Sequence, residues 1–358
     1  MLRDLERSEK VAEVSGPSIK GNACEHATPC IRNMFFKLNK IPILVIKLFI
    51  TVGLLYWLYS YADSDSIKRS LILVGSTQVL VATSLHVGVF LLGGVRWWLL
   101  LRHTGVSVPF RKILPSYYLG VFSNNFLPTS MGGDVVRVIH LKLRGLSAKA
   151  LVGSAMVDRI IGLTAVVVMG TASVVLSPDI RLGANSKIFM LIFTAAVFAT
   201  LWFLLTPAFI GLIEKLAQRY RHTRIRKALL EIIAICYSYR STKKLILAAF
   251  GVALVMQGLA IWIYYYLGAS IGIELSPMTY YTIIPIVFLA TNIPLSIGGL
   301  GIREGALVAL LVSVNIDTQL AITLSLLFLF VLWLSSVPGA AVMAFGAGKS
   351  LGRGDPHR

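Results

Sequence analysis

The chain has 358 residues, 56% of them hydrophobic and only 14% charged, with a mean hydropathy of +0.77. A soluble domain carries about 25% charge, so a soluble globular fold is excluded, and so is a membrane barrel, whose period-two alternation is missing. The net charge of +18 does not indicate nucleic acid: the basic residues sit between apolar runs, as positive-inside segments do, and no nucleic-acid-binding signature accompanies them.

Residues 1–40 form a polar tail that reads as disordered and cytoplasmic. It is not a secretory signal, because the first apolar run begins too late and has no cleavage pattern. Cys24 and Cys30 flank His26 there, and Cys236 stands alone in a basic segment. Zinc needs about four ligands at tighter spacing, so no metal or disulfide is expected and the thiols read as free.

Apolar segments follow at 41–61, 70–95, 113–127, 150–176, 188–206, 245–273, 280–297, 302–314 and 318–346. About 20 such residues cross a bilayer as a helix, and helix is the form in which backbone polar groups pair without water. The basic segments 96–112 (Arg96, Arg102, Arg111, Lys112), 132–149 and 207–244 read as cytoplasmic, as does a short tail at 348–358. The loops near Glu274 and Asp317 carry no Lys or Arg and read as external.

Two segments conflict with simple crossing. Both 96–112 and 132–149 belong inside, yet 113–131 lies between them; 280–314 lies between two external loops. Both segments are interrupted by Pro and paired Gly. The economical topology is six full spans and two re-entrant hairpins, with both termini cytoplasmic in the cell membrane. The fold class is therefore an all-α polytopic membrane protein, with a membrane domain at 41–347 whose halves, 41–176 and 188–346, form an inverted repeat.

The interruptions share a pattern. Pro128, Ser130, Gly132, Gly133 and Arg137 match Pro294, Ser296, Gly298, Gly299 and Arg303 as P-x-S-x-G-G-x-x-x-R, and Asn125 and Asn292 precede them. Proline ends a half-helix, glycine permits the turn, and the next half-helix opens with free N–H groups and a positive partial charge. With an arginine one turn in, such a terminus suits an anion. Asp134 and Glu304 add carboxylates beside the arginines. Short, Gly/Pro-broken segments at corresponding places in two halves point to a transporter substrate site; the plainer alternative is structural tips whose arginines pair internally.

Asp158 and Arg159 interrupt another apolar span. Asp158 is expected to meet a hairpin arginine, Arg137 or Arg303, because a charge at that depth faces the bundle interior. Lys47 reads as snorkelling to the interface and His86 as a hydrogen-bonded packing residue. Trp57 with Tyr56 and Tyr59, Trp97-Trp98, Tyr264-Tyr265-Tyr266 and Tyr280-Tyr281 read as interfacial belts without a site role.

Four blocks together, Gly94-Val95-Arg96-Trp97, Asn125-Phe126-Leu127-Pro128 through Gly132-Gly133-Asp134 to Arg137, Asp158-Arg159-Ile160-Ile161-Gly162-Leu163, and Pro294 through Gly298-Gly299-Leu300-Gly301 to Arg303-Glu304, resemble the flippase-type transmembrane domain of lysylphosphatidylglycerol synthases and its stand-alone relatives. The likeness covers about 41–347. It implies translocation of a lipid, such as an aminoacylated phospholipid, between leaflets. Nothing after residue 347 could be a soluble aminoacyl-transferase domain, so lysine transfer is expected to be absent and the protein is not expected to be an enzyme.

The expected function is translocation of a lipid or lipid-linked anionic amphiphile, with Arg137, Arg303 and Arg159 receiving the headgroup while Asp134, Asp158 and Glu304 hold them. The alternatives are an ion-coupled small-solute carrier in the same cavity, or an accessory subunit of an envelope lipid or glycan synthesis complex. A membrane enzyme would need a nucleophile or metal cluster, which the sequence lacks. No cofactor is expected. Anionic or lipid-linked membrane lipids are the expected partners, homo-oligomerisation is left open, and nucleic acid is not a partner.

Overall fold

The computed structural model describes residues 41–61, 74–106, 108–127, 132–176, 234–292 and 296–349, with single positions between 63 and 72 and the pair 230–231. Among these, every regular element is helical. In chain order they are α1 (Ile41–Ser60), α2 (Ser76–His103), α3 (Phe110–Asn124), α4 (Gly132–Lys142), α5 (Ala148–Leu176), α6 (Lys243–Ser270), α7 (Pro277–Asn292), α8 (Ile302–Ser313) and α9 (Thr318–Lys349), with a 3-10 turn at Tyr239–Ser241 before α6. The expected segment at 188–206, both tails and most of the basic stretch 207–244 lie outside the described residues.

Four helices are long and apolar enough to cross a membrane: α2, α5, α6 and α9 through Ala344. At 1.5 Å per residue the 28 residues of α2 span about 42 Å, more than the ~30 Å hydrocarbon layer. The 15 residues of α3 and 11 of α4 reach only about 22 and 17 Å. The 16 of α7 and 12 of α8 reach about 24 and 18 Å. Each short helix falls below the ~30 Å needed to cross alone.

The end of α2 differs from the sequence expectation. Its apolar run was expected to stop at 95, with Arg96 starting a cytoplasmic segment. The helix instead continues through Trp97–Leu101 and ends at His103, where Thr104 Oγ1 donates to the Leu101 carbonyl at 2.7 Å and Gly105 turns the chain at φ +78°. Arg96 is thus an interior residue of a spanning helix.

The first hairpin joins α3 to α4. The pair runs antiparallel, with Gly120 against Gly133 near the tip and Ser116 Oγ within 2.7 Å of His140 Nδ1 further down. A Cβ on Gly120 would stand 2.6 Å from the Gly133 carbonyl oxygen, and one on Gly133 would run into the Gly120 carbonyl. Backbone meets backbone, so no side chain fits at this crossing. Asn124 Oδ1 closes the tip by accepting the Gly133 N–H at 3.1 Å.

The second hairpin joins α7 to α8 through Gly298, Gly299 and Gly301, all at positive φ. Only glycine adopts such a run without strain. The Ile297 N–H donates to Thr51 Oγ1 of α1 at 3.0 Å, and the Gly301 N–H donates to Glu304 Oε2 at 2.6 Å. The two tips touch: the Gly298 N–H donates to the Leu127 carbonyl at 3.1 Å, and a Cβ on Gly298 would lie 2.9 Å from the Asn124 and Asn125 carbonyls.

The helix packing has a pattern. α2 packs against α6, α3 on α4 as α7 on α8, and α2 on α3 as α6 on α7. α4 packs on α5 as α8 on α9, α3 on α9 as α7 on α5, α5 on α6 as α9 on α2, and α2 on α5 as α6 on α9. The largest apolar core lies among α6, α7, α8 and α9 around Tyr264, Leu267 and Tyr280; a smaller one joins Trp97, Leu101, Ile113, Leu141 and Leu151.

Candidate functional site

The buried charge collects beside the first hairpin. Asp158 of α5 is 3% exposed and lies between two arginines. Arg96 Nε donates to Asp158 Oδ1 at 2.6 Å, and Arg137 donates to Asp158 Oδ2 at 3.0 Å. Arg137 also pairs with Asp134 at 2.8 Å, one turn earlier in α4. Arg159 then extends the chain of contacts, pairing with Asp134 at 3.3 Å and donating to Asn292 Oδ1, at the end of α7, at 2.6 Å. Gly162 leaves room for Arg96: a Cβ there would meet its guanidinium at 3.3 Å. The Arg137 guanidinium lies 4.2 Å from the centroid of the Trp97 ring and 5.3 Å from that of Tyr117.

This arrangement resolves an old problem of membrane interiors. A lone charge there is expensive, and removing one partner of a buried pair strands the other. Three guanidinium groups meet two carboxylates, which leaves one positive charge in excess. Donors are also in excess. Among the described residues, Arg96 Nη1, Arg137 Nε and Arg159 Nε are buried and find no hydrogen-bond partner. Buried donors normally find acceptors. Its open end is Arg159 and Asp134, whose side chains are 25% and 27% exposed; Asp158 and Arg137 are sealed.

The second hairpin handles its arginine differently. Arg303 donates through Nε and NH2 to Oε1 of the adjacent Glu304, at 3.0 and 2.6 Å, while Oε2 of Glu304 caps Gly301. Glu304 is wholly buried. Close by in the fold, His86 Nδ1 stands 2.7 Å from Ser335 Oγ, with its ring edge-on to Phe90 and Phe328. His86 is therefore the packed, hydrogen-bonded residue expected of it.

The structure sorts the expected residues into two groups. Asp134, Arg137, Asp158, Arg159 and Asn292 converge in one network. Ser296, Gly298, Gly299, Arg303 and Glu304 form the second tip, and Arg303 does not reach Asp158. Asn125 instead donates to Ser336 Oγ of α9 at 3.0 Å, and Gly132 is packed on Leu127, 2.6 Å from where its Cβ would be. Pro128, Ser130 and Pro294 lie outside the described residues. Sequence reasoning missed Arg96, and it misplaced Trp97, Tyr264 and Tyr280 in interfacial belts: all three are fully buried. Trp97 lies beneath Arg137 and donates its Nε1–H to Ser154 Oγ at 3.2 Å. Tyr56, Trp57 and Tyr59 are exposed as expected. The apolar run Trp97–Leu101 after Arg96 was the available signal that the helix continues.

Among the described residues no group of three or more His, Cys, Asp or Glu is placed to hold a metal ion. Cys236, before α6, donates its S–H to the Gly153 carbonyl at 3.7 Å, and burial pushes its thiol up to about 11, which keeps it from acting as a nucleophile near neutral pH.

Comparison with known proteins agrees with this architecture. The family described as the lysylphosphatidylglycerol synthase TM region matches residues 44–339. The chain belongs to that family. It is also similar to a UPF0104 membrane protein of Pyrococcus horikoshii, 25% identical over 134 residues, which is 37% of this chain and 39% of that relative. The match thus spans well under half of the relative's length. As a member of the lysylphosphatidylglycerol synthase TM region family with four spanning helices among its described residues, the protein is a multi-pass integral membrane protein.

Proposed function

We propose that the protein translocates an anionic lipid or lipid-linked amphiphile between leaflets, receiving the headgroup at the charge cluster beside the two hairpin tips. The observation that carries this is the excess of buried guanidinium donors over acceptors, open to the outside of the cluster only at Arg159 and Asp134. An anion reaching Arg159 would meet a partly exposed guanidinium backed by the half-helix start of α4, whose dipole favours negative charge. Asp134 and Asp158 hold the arginines in place in the absence of an anion.

In this reading α3–α4 and α7–α8 are re-entrant hairpins that enter from opposite faces, each too short to cross. The two halves form an inverted repeat with six full spans, and both termini are cytoplasmic. The helix packing supports it: exchanging α2, α3, α4 and α5 for α6, α7, α8 and α9 maps α2–α6 onto itself and each other of those packing pairs onto another. Membership of the family supports a lipid as substrate.

Reconstitution into liposomes with a fluorescent phosphatidylglycerol analogue tests the proposal. Arg159→Gln removes the accessible donors while leaving the sealed Arg96–Asp158–Arg137 core, and should slow translocation about tenfold or more, the effect of one charge-assisted contact. Unchanged transport in Arg159→Gln would refute the site.

A further inference from the structure

The asparagines that end α3 and α7 perform matching tasks. Asn125 reaches out of the first hairpin to Ser336 in α9. Asn292 reaches out of the second to Arg159 in α5. Each hairpin is thereby clasped to the long helix of the opposite half. One clasp is neutral. The other ends on a guanidinium that is also shared with Asp134. Asn292 is oriented for this: its Nδ2 donates to the Phe288 carbonyl at 2.7 Å, which leaves Oδ1 facing Arg159.

We infer that the Asn292–Arg159 clasp is an anion-operated latch on the second hairpin, and that the Asn125–Ser336 clasp is its fixed counterpart. The inference rests on the translocation reading, because it takes the incoming group to be a phosphate or phosphodiester anion. A neutral amide oxygen is a weaker acceptor for a guanidinium than a phosphate oxygen, so an anion at Arg159 displaces Asn292. Asp134 keeps Arg159 in place during the exchange. A serine hydroxyl has no such preference for an anion, so the Asn125 clasp stays shut.

Release acts on the tip of a hairpin whose helices stay packed in the core among α6, α7, α8 and α9. Arg303 and Glu304 neutralise each other within α8, so no ion pair of that hairpin has to break. Among the described residues the tip also carries the Gly298 amide on the Leu127 carbonyl and the Ile297 amide on Thr51. Both are single neutral hydrogen bonds, weaker than charge-assisted ones. An anion could thus loosen the tip contact between the halves without disturbing the buried core around Asp158.

Amide hydrogen exchange of the segment 296–301 reads the latch, since its Gly298 and Ile297 amides make those tip contacts. The full chain is compared in phosphatidylcholine nanodiscs, in nanodiscs that also contain phosphatidylglycerol, and in phosphatidylcholine nanodiscs with inorganic phosphate in the buffer. Exchange at 296–301 should rise about tenfold with the anion while 132–142 stays unchanged. A response to phosphatidylglycerol alone makes the source a headgroup; a response to phosphate as well makes it any phosphate anion, and either supports the latch. Asn292→Ala should exchange fast without anion. Asn292→Asp replaces the amide by a carboxylate, should exchange slowly, and should lose the response; a variant that merely misfolds would not reverse sign. If Asn292→Ala leaves exchange as in the wild type, the latch is wrong even where transport is confirmed. If Asn292→Ala raises exchange but no anion does so in the wild type, the anion trigger fails, and with it the headgroup site at Arg159.

Discussion

Arg137 and Arg303 occupy the same place in the same motif, yet they are neutralised in different ways. Arg137 is held by carboxylates from two helices, and Asp158 in turn holds Arg96 from a third. Arg303 is held by its own sequence neighbour, which also caps the start of α8. The first hairpin is therefore bound into the bundle by ion pairs, whereas the second carries its charge as a closed unit and offers its surroundings neutral groups, one of which, Asn292, accepts from Arg159. The paired glycines differ as well, since Gly298 and Gly299 turn at positive φ while Gly132 and Gly133 lie in the first turn of α4; the electrostatic wiring is set chiefly by Asp158 and Arg159, outside the motif. A hairpin wired into the bundle suits a fixed wall, and a self-contained one suits a moving part.

The sharpest attempt to break this contrast is Asp158→Ala. It strands Arg96, leaves Arg137 with Asp134 alone, and should cost about 3–5 kcal/mol, seen as a large fall in the melting temperature of the detergent-solubilised protein. Glu304→Gln keeps a cap for Gly301 and should cost clearly less; the reverse order would overturn the contrast. Next comes the turn chemistry. Gly133→Ala drives a Cβ into the Gly120 carbonyl and should cost about 1–3 kcal/mol, whereas Gly299→Ala meets its nearest neighbour at 3.5 Å and pays only the left-handed backbone strain of about 1–2 kcal/mol.

A pair of double-mutant cycles sharpens the wiring itself. Asp158→Asn with Arg137→Met should be non-additive by about 1 kcal/mol or more, because the two share one ion pair, while Asp158→Asn with Arg303→Met should add within about 0.5 kcal/mol. Coupling in the second cycle would mean that the hairpins share one network. The smallest effect expected is Trp97→Phe, which removes the indole N–H from Ser154 and weakens the face under Arg137, for about 1 kcal/mol; unchanged stability would show that Arg137 owes nothing to that ring.

The second turn was readable from the amino acids because paired glycines act locally, and Gly298 and Gly299 take positive φ; Gly132 and Gly133 instead open α4, where they allow close packing on Leu127 and Gly120. Asp158 was readable too, since a carboxylate within an apolar run must find a cation, and Arg137 supplies one. Arg96 was not. Counting basic residues at the edge of an apolar run assigns them to the loop, and only the packing of α2 against α5 reveals that Arg96 points inward. The Arg303–Glu304 pair was hidden for another reason. Neighbours on a helix point about 100° apart and pair poorly, but Glu304 at the helix start folds back toward Gly301, which brings its second oxygen to Arg303. Trp97 was misjudged because an aromatic residue near a helix end looks the same whether it faces headgroups or lies beneath a guanidinium.

Arg159 also sets a condition on how the chain is made. Its nearer partner, Asp134, precedes it, but Asn292 is 133 residues downstream. At roughly 5–20 residues per second, translation takes on the order of ten seconds to supply it. Until Asn292 is made, Arg159 has only Asp134 of these two partners. A ribosome stalled before α7 should therefore leave a nascent chain that holds on to its insertase, and one stalled after α8 emerges should let go.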